Sequence, residues 1–364
     1  MKKTILYIID SLERGGAEVL LVSSLKEIHQ RFNIIIVTLR PQISFSDNEL
    51  FYDKIFCLDM RKKIDIFHGA SKLRKIISEN QVDLIHSTLF WSVITARLAV
   101  TKKIKHIFSL ATIMSSGLYT TKWYSSYTRW LDRLTYSKNQ ALISPTKEVL
   151  TDFDNSIGIK GEKKVIYNFV KDDFFENEIE YRPTPGRLKL VAVGNLKSVK
   201  NYQLIIDAFK LMQGRPISID IYGEGPDKEI LQKQISQYDL PIRLMGAEEK
   251  IYEILPYYDA FVMCSILEGF GIAAAEAMAM GLPLLLSDIK PLREISHNNA
   301  IFFNPYDPHT FFDAVLSLED KAKDLKEISE RGKKIAKENY TKEKYLNQLL
   351  NYYDEILNPN EKLN

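Results

Sequence analysis

Short apolar segments alternate with amphipathic ones along the first half of the chain. Residues 4–9 are apolar and β-branched, which predicts a strand. After a turn over 10–16, apolar residues recur at spacings of three and four from Ala17 onward, which predicts a helix. Further strands are predicted over 33–39, 82–87, 104–110, 141–144 and 164–168, and further helices over 70–79 and 91–99. Strands that alternate with helices indicate a parallel, doubly wound sheet.

The acidic, Pro- and Gly-containing segment 171–187 has few apolar residues and is the predicted linker between two domains. After it the alternation restarts, with predicted strands over 188–193, 217–222, 242–245, 260–264 and 283–286 and predicted helices over 201–212, 226–237 and 271–280. The predicted fold is therefore α/β, with two doubly wound, Rossmann-like domains, 1–170 and 188–340, and a ligand cleft at the carboxyl ends of their strands. The spacing of apolar residues over 341–357 predicts an amphipathic C-terminal helix that packs on a domain.

Composition and charge narrow the functional classes. Hydrophobic residues make up 45% of the 364 residues and charged ones 26%, which is typical of a soluble globular protein. The 49 Lys and Arg residues nearly balance the 47 Asp and Glu residues, and this argues against a nucleic-acid-binding protein. The balance hides an asymmetry, because residues 1–170 have a net charge of +9 and the remainder −7. The basic half is the one we expect to meet an anionic membrane surface.

Cysteines and apolar runs indicate the compartment. Cys57 and Cys264 lie far apart in sequence and suggest neither a disulfide framework nor a metal cluster. The apolar run over 5–9 is shorter than the roughly 7 to 15 residues of a signal peptide core, and no run approaches the roughly 20 residues of a membrane-spanning helix. We expect a cytoplasmic protein, with any membrane contact peripheral and at the inner face of the cytoplasmic membrane.

Three glycine-containing turns follow predicted strands, where backbone amides can approach a ligand closely. They contain Gly15 and Gly16, Gly194 and Asn195, and Gly223. Lys200 follows the second turn, at the start of a predicted helix, and is placed to neutralise a phosphate. Each feature also has a structural interpretation, since glycine pairs are common in plain turns and an isolated lysine is more often a surface residue near a helix cap.

Two acidic residues lie eight positions apart in the segment 268–283. Glu268 begins a glycine-rich stretch, whereas Glu276 lies in a predicted helix of Ala, Met and Ile. Burying an unpaired carboxylate there would cost several kcal/mol, so Glu276 must face hydrogen-bond donors. A pair of sugar hydroxyls would serve, because an ionised carboxylate accepts two bonds at once. The alternative is a structural Glu satisfied by backbone amides or a nearby Arg.

The segment 268–283 resembles the E-x7-E element, with its E-G-F-G start, of the retaining glycosyltransferases of the GT-B fold, family 4, also called glycosyl transferases group 1. Further matches are Gly-Gly-Ala-Glu at 15–18, Val-Gly-x-Leu-x-x-x-Lys-Asn at 193–201 and Val-Ile-Tyr-Asn at 165–168. The resemblance extends over almost the whole chain. It implies a GT-B fold with an interdomain cleft, and a C-terminal segment, 341–364, that packs back on the N-terminal, acceptor-side domain.

The resemblance also implies roles for residues. Glu276 would bind the ribose hydroxyls of a UDP- or GDP-sugar, and the catalytic pair would be Glu268 beside the donor sugar and Lys200 on the diphosphate. The donor site would be completed by Gly16, Gly194, Asn195, Gly223, Gly269, Phe270, Gly271 and Ile272. Gly15 and His86 would lie on the acceptor side, although a lone His is more often structural. No His cluster suggests a metal, and the resemblance implies a hexosyl transfer that needs no metal or other cofactor.

Two departures from the family pattern bear on activity. Asn195 stands where the family usually has Arg, and Ala111 stands where it often has a His that contacts the donor sugar. Both leave open an alternative in which the chain is a catalytically weak GT-B homologue that binds a sugar nucleotide and acts as a partner subunit. A nicotinamide-dependent oxidoreductase is a further alternative, but the Gly-x-Gly-x-x-Gly turn of that class is missing.

The segment 97–147 is rich in basic and aromatic residues and contains few acids. Its basic residues are Arg97, Lys102, Lys103, Lys105, Lys122, Arg129, Arg133, Lys138 and Lys147, and its large apolar residues include Leu118, Tyr119, Trp123, Tyr124, Tyr127, Trp130 and Leu134. Because aromatic and basic side chains favour anionic membrane surfaces, we expect contact with a membrane or a lipid-linked acceptor. An ordinary helix with its aromatics in the core is the equal alternative. The predicted function is thus transfer of a sugar to a glycan or lipid-linked acceptor in surface polysaccharide biosynthesis.

Overall fold

The computed structural model describes residues 2–62, 65–101, 104–111, 122–177, 186–320 and 322–359. The chain divides into two compact units, Met1–Asn168 together with Lys342–Asn364, and Phe169–Thr341. Within the described ranges, no helix combines the length and the apolar character that crossing a bilayer requires.

The first unit is a seven-stranded parallel sheet flanked by helices. Its strands are β1 (Thr4–Ile9), β2 (Asn33–Thr38), β3 (Lys54–Cys57), β4 (Leu84–Thr88), β5 (Lys105–Ser109), β6 (Gln140–Ser144) and β7 (Lys163–Val165). Its helices are α1 (Gly16–Arg31), α2 (Ile66–Glu79), α3 (Phe90–Ala99), α4 (Lys122–Thr135), α5 (Lys147–Ile157) and, from the end of the chain, α14 (Lys342–Leu357). The strand order is β3-β2-β1-β4-β5-β6-β7, so the chain changes direction across the sheet between β1 and β4.

The second unit is a six-stranded parallel sheet with the same order around its first strand, β10-β9-β8-β11-β12-β13. These strands are β8 (Leu188–Val193), β9 (Ile217–Tyr222), β10 (Ile242–Gly246), β11 (Ala260–Met263), β12 (Leu284–Ser287) and β13 (Ile301–Phe303). The helices are α6 (Asp172–Glu176), α7 (Tyr202–Leu211), α8 (Lys228–Gln237), α9 (Ile251–Ile254), α10 (Ile272–Met280), α11 (Lys290–Ser296), α12 (Pro308–Asp320) and α13 (Ala322–Asn339), with 3-10 turns at Ser198–Lys200 and Leu255–Tyr257. The predicted α/β fold of two doubly wound sheets is confirmed.

The strands that periodicity predicts well are those buried on both faces. Strand β1 is almost wholly buried, and it pairs in register with β2 through Thr4 and Asn33 and with β4 through Ile5 and Leu84. Strand β3 escaped prediction because it is an edge strand of four residues, none of them fully buried. A short, half-exposed strand has neither a continuous apolar run nor a long alternation to signal it.

The segment predicted as a linker, 171–187, belongs in part to the second unit. Helix α6 lies within it and packs on α10, with Phe174 buried and in edge contact with Tyr252. Val170 pairs with Thr341 in an isolated parallel bridge. The acidic composition of the segment hid Phe174, whose burial is what attaches α6 to the unit. Residues 178–185 of the predicted linker lie outside the described ranges.

Candidate functional site

The loops after β8 and β11 leave the second sheet at the same edge, because these strands are parallel neighbours. The loops are tied together, since Ile266 N–H donates to the Val199 carbonyl at 3.0 Å and the Cys264 thiol donates to the Lys200 carbonyl at 2.9 Å. Burial raises the pKa of Cys264 to about 12, so this thiol is a packed, unreactive group. The junction places the 3-10 turn that contains Lys200 against the glycine-rich loop that begins at Glu268.

Lys200 and Glu268, which the family resemblance implies as the catalytic pair, form an ion pair in this junction. Lys200 Nζ lies 2.5 Å from Glu268 Oε1, and the side chains are 22% and 11% exposed. Ser265 Oγ donates to the same oxygen at 2.7 Å. Asn201, in the left-handed region at φ 56°, ends the 3-10 turn, and its amide donates to the Pro305 carbonyl at 2.7 Å. The lysine is therefore held in place by its own turn and by the loop opposite.

Helix α10 begins directly after this loop at Gly271, whose φ of +86° favours glycine. A Cβ at this position would also lie 2.7 Å from Leu292 Cδ2. No side chain of the N-cap residue bonds the first amides of α10, so the positive end of a nine-residue helix that starts at Ile272 has no cap of its own. Gly269 and Phe270 are buried, and the Phe270 ring packs edge-on against Tyr340 at 5.3 Å between centroids. The Phe270 side chain thus packs in the core.

Glu276 lies on α10, one turn beyond its start. Burial raises the pKa of Glu276 to about 7, opposed by the charge of Lys171. Among the described residues, none donates a hydrogen bond to its carboxylate, which removes the structural alternative of an Arg or backbone partner within those ranges. The carboxylate oxygens of Glu276 are not among the fully buried, unpartnered side-chain atoms of the described residues, so solvent or a ligand can reach them and supply donors.

Close backbone packing explains Gly223, the glycine after β9. A Cβ on Gly223 would lie 2.1 Å from the Gly194 carbonyl oxygen, so the turns after β8 and β9 touch backbone to backbone. Gly223 N–H also donates to the Gly246 carbonyl at 2.7 Å. Asn195 is exposed in the turn after β8. Gly223 is thus required by loop packing, whereas Gly194 and Asn195 lie in the loop that leads to Lys200.

In the first unit, Gly16 starts α1 with open space around the position of a Cβ, and Gly15 lies against the carboxylate of Glu18. Asp10, directly after β1, accepts hydrogen bonds from Ser92 N–H at 3.2 Å and Ser92 Oγ at 2.7 Å. Burial raises the pKa of both Asp10 and Glu18. Sequence analysis missed these two acids, although a carboxylate directly after a strand and another in the first turn of a helix are recognisable signals.

His86 is buried within the first sheet, and both of its ring nitrogens have partners. Nδ1 lies 2.5 Å from Tyr353 Oη on α14, and Nε2 lies 2.7 Å from Ser109 Oγ. Tyr353 Oη also bonds Tyr7 Oη at 2.8 Å. Burial lowers the pKa of His86 to about 3, so the ring is neutral. The geometry favours the structural alternative for His86 over acceptor contact, because Nδ1 docks α14 and Nε2 bonds Ser109 on β5.

Only some of the basic and aromatic side chains of segment 97–147 are exposed on the surface. Arg97 is fully buried and bonds Asp132 at 2.5 Å, so it is not a surface cation, and Arg133 donates to the Ser156 carbonyl. On α4, Trp130 is 57% exposed and Leu134 66%, with Tyr127 also exposed, so these apolar side chains are not in the core. Lys102, Lys103, Leu118 and Tyr119 and the side chains of Lys122, Trp123 and Tyr124 lie outside the described parts of the structure.

Two models of glycosyltransferase families match successive parts of this chain. A family model described as Glycosyltransferase Family 4 matches residues 14–174, and one described as Glycosyl transferases group 1 matches residues 173–335. The O-antigen biosynthesis glycosyltransferase WclY of Escherichia coli is 22% identical over 366 residues, 97% of this chain and 98% of that protein. The chain spans little more than half, 57%, of another relative, N-acetyl-alpha-D-glucosaminyl L-malate synthase of Bacillus anthracis, with 22% identity over 232 residues and 61% of this chain covered.

Solved structures show the same fold. Anabaena Alr3699/HepE in complex with UDP and glucose superposes with a TM-score of 0.80 at 16% identity, covering 96% of this chain and 99% of that one. Sucrose-phosphate synthase from Thermosynechococcus elongatus superposes with a TM-score of 0.81 at 12% identity, covering 98% of this chain and 100% of that one. Taken with the two family models, which match successive halves of the chain, these likenesses define its class. The chain belongs to the glycosyltransferases of the GT-B fold.

Proposed function

We propose that this glycosyltransferase moves a hexosyl group from a UDP- or GDP-sugar to a glycan or lipid-linked acceptor, with retention of anomeric configuration and without a metal. The observation that carries the proposal is the largely buried Lys200–Glu268 pair, at 2.5 Å, directly before the uncapped N-terminus of α10. Structures that superpose on this chain are described as complexes with UDP and with UDP-glucose. Relatives described as O-antigen glycosyltransferases support a role in surface polysaccharide biosynthesis.

The second unit supplies the groups that this chemistry needs. Glu276 accepts hydrogen bonds from the ribose hydroxyls, and Lys200 with the first amides of α10 stabilises the negative charge that develops on the departing diphosphate. A cation and a helix N-terminus provide that stabilisation directly, which is why we propose a transfer that needs no divalent ion. The bond from the sugar C1 to the phosphate oxygen breaks as the acceptor oxygen bonds C1 on the same face. The acceptor proton passes to the departing phosphate oxygen.

A thermal-shift screen tests the donor assignment. We expect one of UDP, GDP and ADP, and one of their hexose derivatives, to raise the melting temperature as the logarithm of ligand concentration over the dissociation constant. Transfer from that donor, with the anomeric proton coupling of the product measured by NMR, tests retention. Inversion at C1 would contradict the retaining mechanism, and no stabilisation by any of the nucleotides would contradict the proposal as a whole.

The alternative function is a sugar-nucleotide-binding partner subunit with little activity. Asn195, exposed and uncharged in the loop that leads to Lys200, and Ala111, exposed after β5, are the observations in its favour. Donor hydrolysis or transfer by the wild-type protein and by Glu268→Ala separates the two functions. Equal rates for the two proteins would favour the binding role, whereas loss of turnover in the variant would favour catalysis.

We also propose that helix α4 contacts an anionic membrane at the inner face of the cytoplasmic membrane. The exposed rings and side chain of Tyr127, Trp130 and Leu134 recur on one side of α4, as in helices that lie in the membrane interface. Co-sedimentation with vesicles that contain phosphatidylglycerol should fall several-fold in Trp130→Ser/Leu134→Ser. The matched control is Phe67→Ser on α2, because Phe67 is 72% exposed in the same unit. Equal vesicle binding by Trp130→Ser/Leu134→Ser and by Phe67→Ser would overturn the proposed contact between α4 and the membrane.

A further inference from the structure

Glu268 bonds the protein through only one of its two carboxylate oxygens. Oε1 accepts from Lys200 Nζ at 2.5 Å and from Ser265 Oγ at 2.7 Å. No residue in the described ranges donates a hydrogen bond to Oε2. The side chain is only 11% exposed, but Oε2 is not among the fully buried, unpartnered side-chain atoms of the described residues, so it can be reached from outside the protein. The pattern leaves one acceptor oxygen of a fixed carboxylate for a donor that is not part of the protein.

A structural carboxylate in the same unit shows the contrast. Asp220 uses both of its oxygens, with Arg243 Nε on Oδ1 at 2.7 Å, Arg243 Nη2 on Oδ2 at 2.5 Å and Tyr258 Oη on Oδ2 at 2.6 Å. Donors on both oxygens hold the pKa of Asp220 below its usual range although burial alone would raise it. The asymmetry at Glu268 is therefore not the general way in which this unit satisfies its acids.

Ser265 is what distinguishes the two oxygens of Glu268. Lys200 is a point charge on a flexible stem and can approach either oxygen, so by itself it leaves the carboxylate free to rotate about its last bond. The Ser265 hydroxyl approaches Oε1 from a second direction and is itself 1% exposed, so its position is set by the packing around it. Two donors on one oxygen select a single orientation of the carboxylate. Ser265 is too deeply buried to be a ligand contact in its own right.

We propose that Ser265 is a positioning residue, which with Lys200 holds Glu268 so that Oε2 accepts a hydrogen bond from a hydroxyl of the transferred sugar. This inference rests on the proposed function. It assigns different parts of the donor to different groups, because the nucleoside diphosphate contacts Glu276, Lys200 and α10, and only the sugar meets Glu268 Oε2. Loss of the Ser265 hydroxyl should therefore weaken recognition of the sugar and leave recognition of the nucleoside diphosphate unchanged.

The test compares the dissociation constants of UDP and UDP-glucose by calorimetry in wild type, Ser265→Ala and Ser265→Thr, with GDP and GDP-mannose if the screen favours GDP. We expect Ser265→Ala to bind the nucleoside diphosphate within about twofold of wild type and the nucleotide sugar about tenfold more weakly, as loss of one hydrogen bond to a charged group implies. Turnover should fall by a similar factor. Ser265→Thr, which keeps the hydroxyl, should recover most of both losses.

Ser296→Ala is the matched control. Ser296 is buried in the same unit, and its hydroxyl donates to the Leu292 carbonyl at 2.7 Å, so the variant loses a bond of equal length without touching Glu268. The positioning role alone would be overturned if Ser265→Ala leaves the ratio of the two dissociation constants unchanged, whether neither constant changes or both rise by the same factor. Failure of wild type to bind any nucleotide of the screen would overturn the proposed function and the positioning role with it.

Discussion

The two units have equivalent switch points that are built differently. In the first unit the residue after β1 is Asp10, and its carboxylate bonds the amide and hydroxyl of Ser92 in the first turn of α3. In the second unit the residue after β8 is Gly194, and no N-cap side chain bonds the first amides of α10. The same topology thus yields one helix N-terminus neutralised by the protein and one left available to an anion, which is the physical reason to place the diphosphate on the second unit.

The ion pairs of the two units also differ in exposure. The pair in the first unit is enclosed by the protein, and the pair in the second unit is partly open to a ligand. Arg97 and Asp132 are 0% and 4% exposed and are enclosed by aromatic rings, with the guanidinium 4.5 Å from the centre of the Phe108 ring. Lys200 and Glu268 are 22% and 11% exposed and lie at a loop edge. The enclosed pair can act only on stability, whereas the partly open pair can act on a ligand. Each variant below changes one side of this contrast.

Breaking the enclosed pair should have the largest effect. Asp132→Ala leaves the Arg97 charge buried and without its carboxylate, so we expect a loss of about 3–5 kcal/mol in the free energy of unfolding. Urea denaturation measures it. The control is Glu355→Ala, which breaks the more exposed pair of Lys164 and Glu355 in the same unit and should cost less than about 1 kcal/mol. Equal losses would show that the burial of the first pair is unimportant.

Removing the lysine of the open pair should instead reduce turnover. Lys200→Ala should lower kcat/KM for the donor by about 10²- to 10³-fold, as is typical when one group that stabilises developing charge is lost. Its melting temperature should change far less than that of Asp132→Ala. Lys197→Ala, an exposed lysine in the same loop, is the control and should keep near wild-type turnover. If Lys200→Ala changed turnover little but strongly lowered stability, the Lys200–Glu268 pair would be structural like the Arg97–Asp132 pair.

Replacing Glu276 by Gln should have opposite effects on stability and on binding of the nucleotide sugar. Its pKa of about 7 lies above the value in the unfolded chain, so its stabilising contribution is complete below about pH 4.5 and is lost as the pH rises through 7. Glu276→Gln stays neutral and should match wild type near pH 4.5 but exceed it by at most about 3 kcal/mol at pH 8.5. Denaturation at both pH values measures this difference, and a difference that does not depend on pH would contradict it.

The same variant should bind nucleotide sugar more weakly. Because ribose hydroxyls donate to the ionised carboxylate, wild-type affinity should rise from pH 6 to pH 8, whereas the affinity of Glu276→Gln should stay flat over that range. Calorimetric titrations at three pH values test the slope. Parallel pH profiles for the two proteins would assign the titration to another group.

The smallest expected effect concerns the helix N-caps at the two switch points. Leu89, before α3, has φ 73° and ψ 150°, whereas Gly271, before α10, has φ 86°. Only glycine adopts such positive φ angles without strain, so Leu89→Gly should stabilise the protein by about 1 kcal/mol. Gly271→Ala should destabilise it, because a Cβ there would also meet Leu292. Thermal unfolding of both variants tests the pair, and a loss of stability in Leu89→Gly would show that the Leu side chain contributes more than the strain costs.

Sequence reasoning predicted the regular parts of the fold because they depend on local periodicity. Most strands were placed to within a few residues, and only the edge strand β3 and the short strand β13 were missed. Helices α1, α2, α3, α7, α8, α10 and α14 were predicted, whereas α6 was interpreted as linker and no helix was assigned at α5, α9, α11, α12 or α13. Glu268, Lys200 and Glu276 were named from motif and spacing. The roles of Gly223 and His86 were not predictable, since they depend on close contacts with Gly194 and with Tyr353, the latter 267 positions away in sequence.

What the sequence by itself determined is the alternation of strands and helices, the two-unit organisation and the family motifs, because each is encoded within a few neighbouring residues. Only the tertiary structure decided which charges are paired and which are open. Lys200 meets Glu268 across 68 positions, and Arg97 meets Asp132 across 35. Both contacts join a cation to an acid, and burial and the surrounding hydrogen bonds alone make one a structural pair and the other a candidate site.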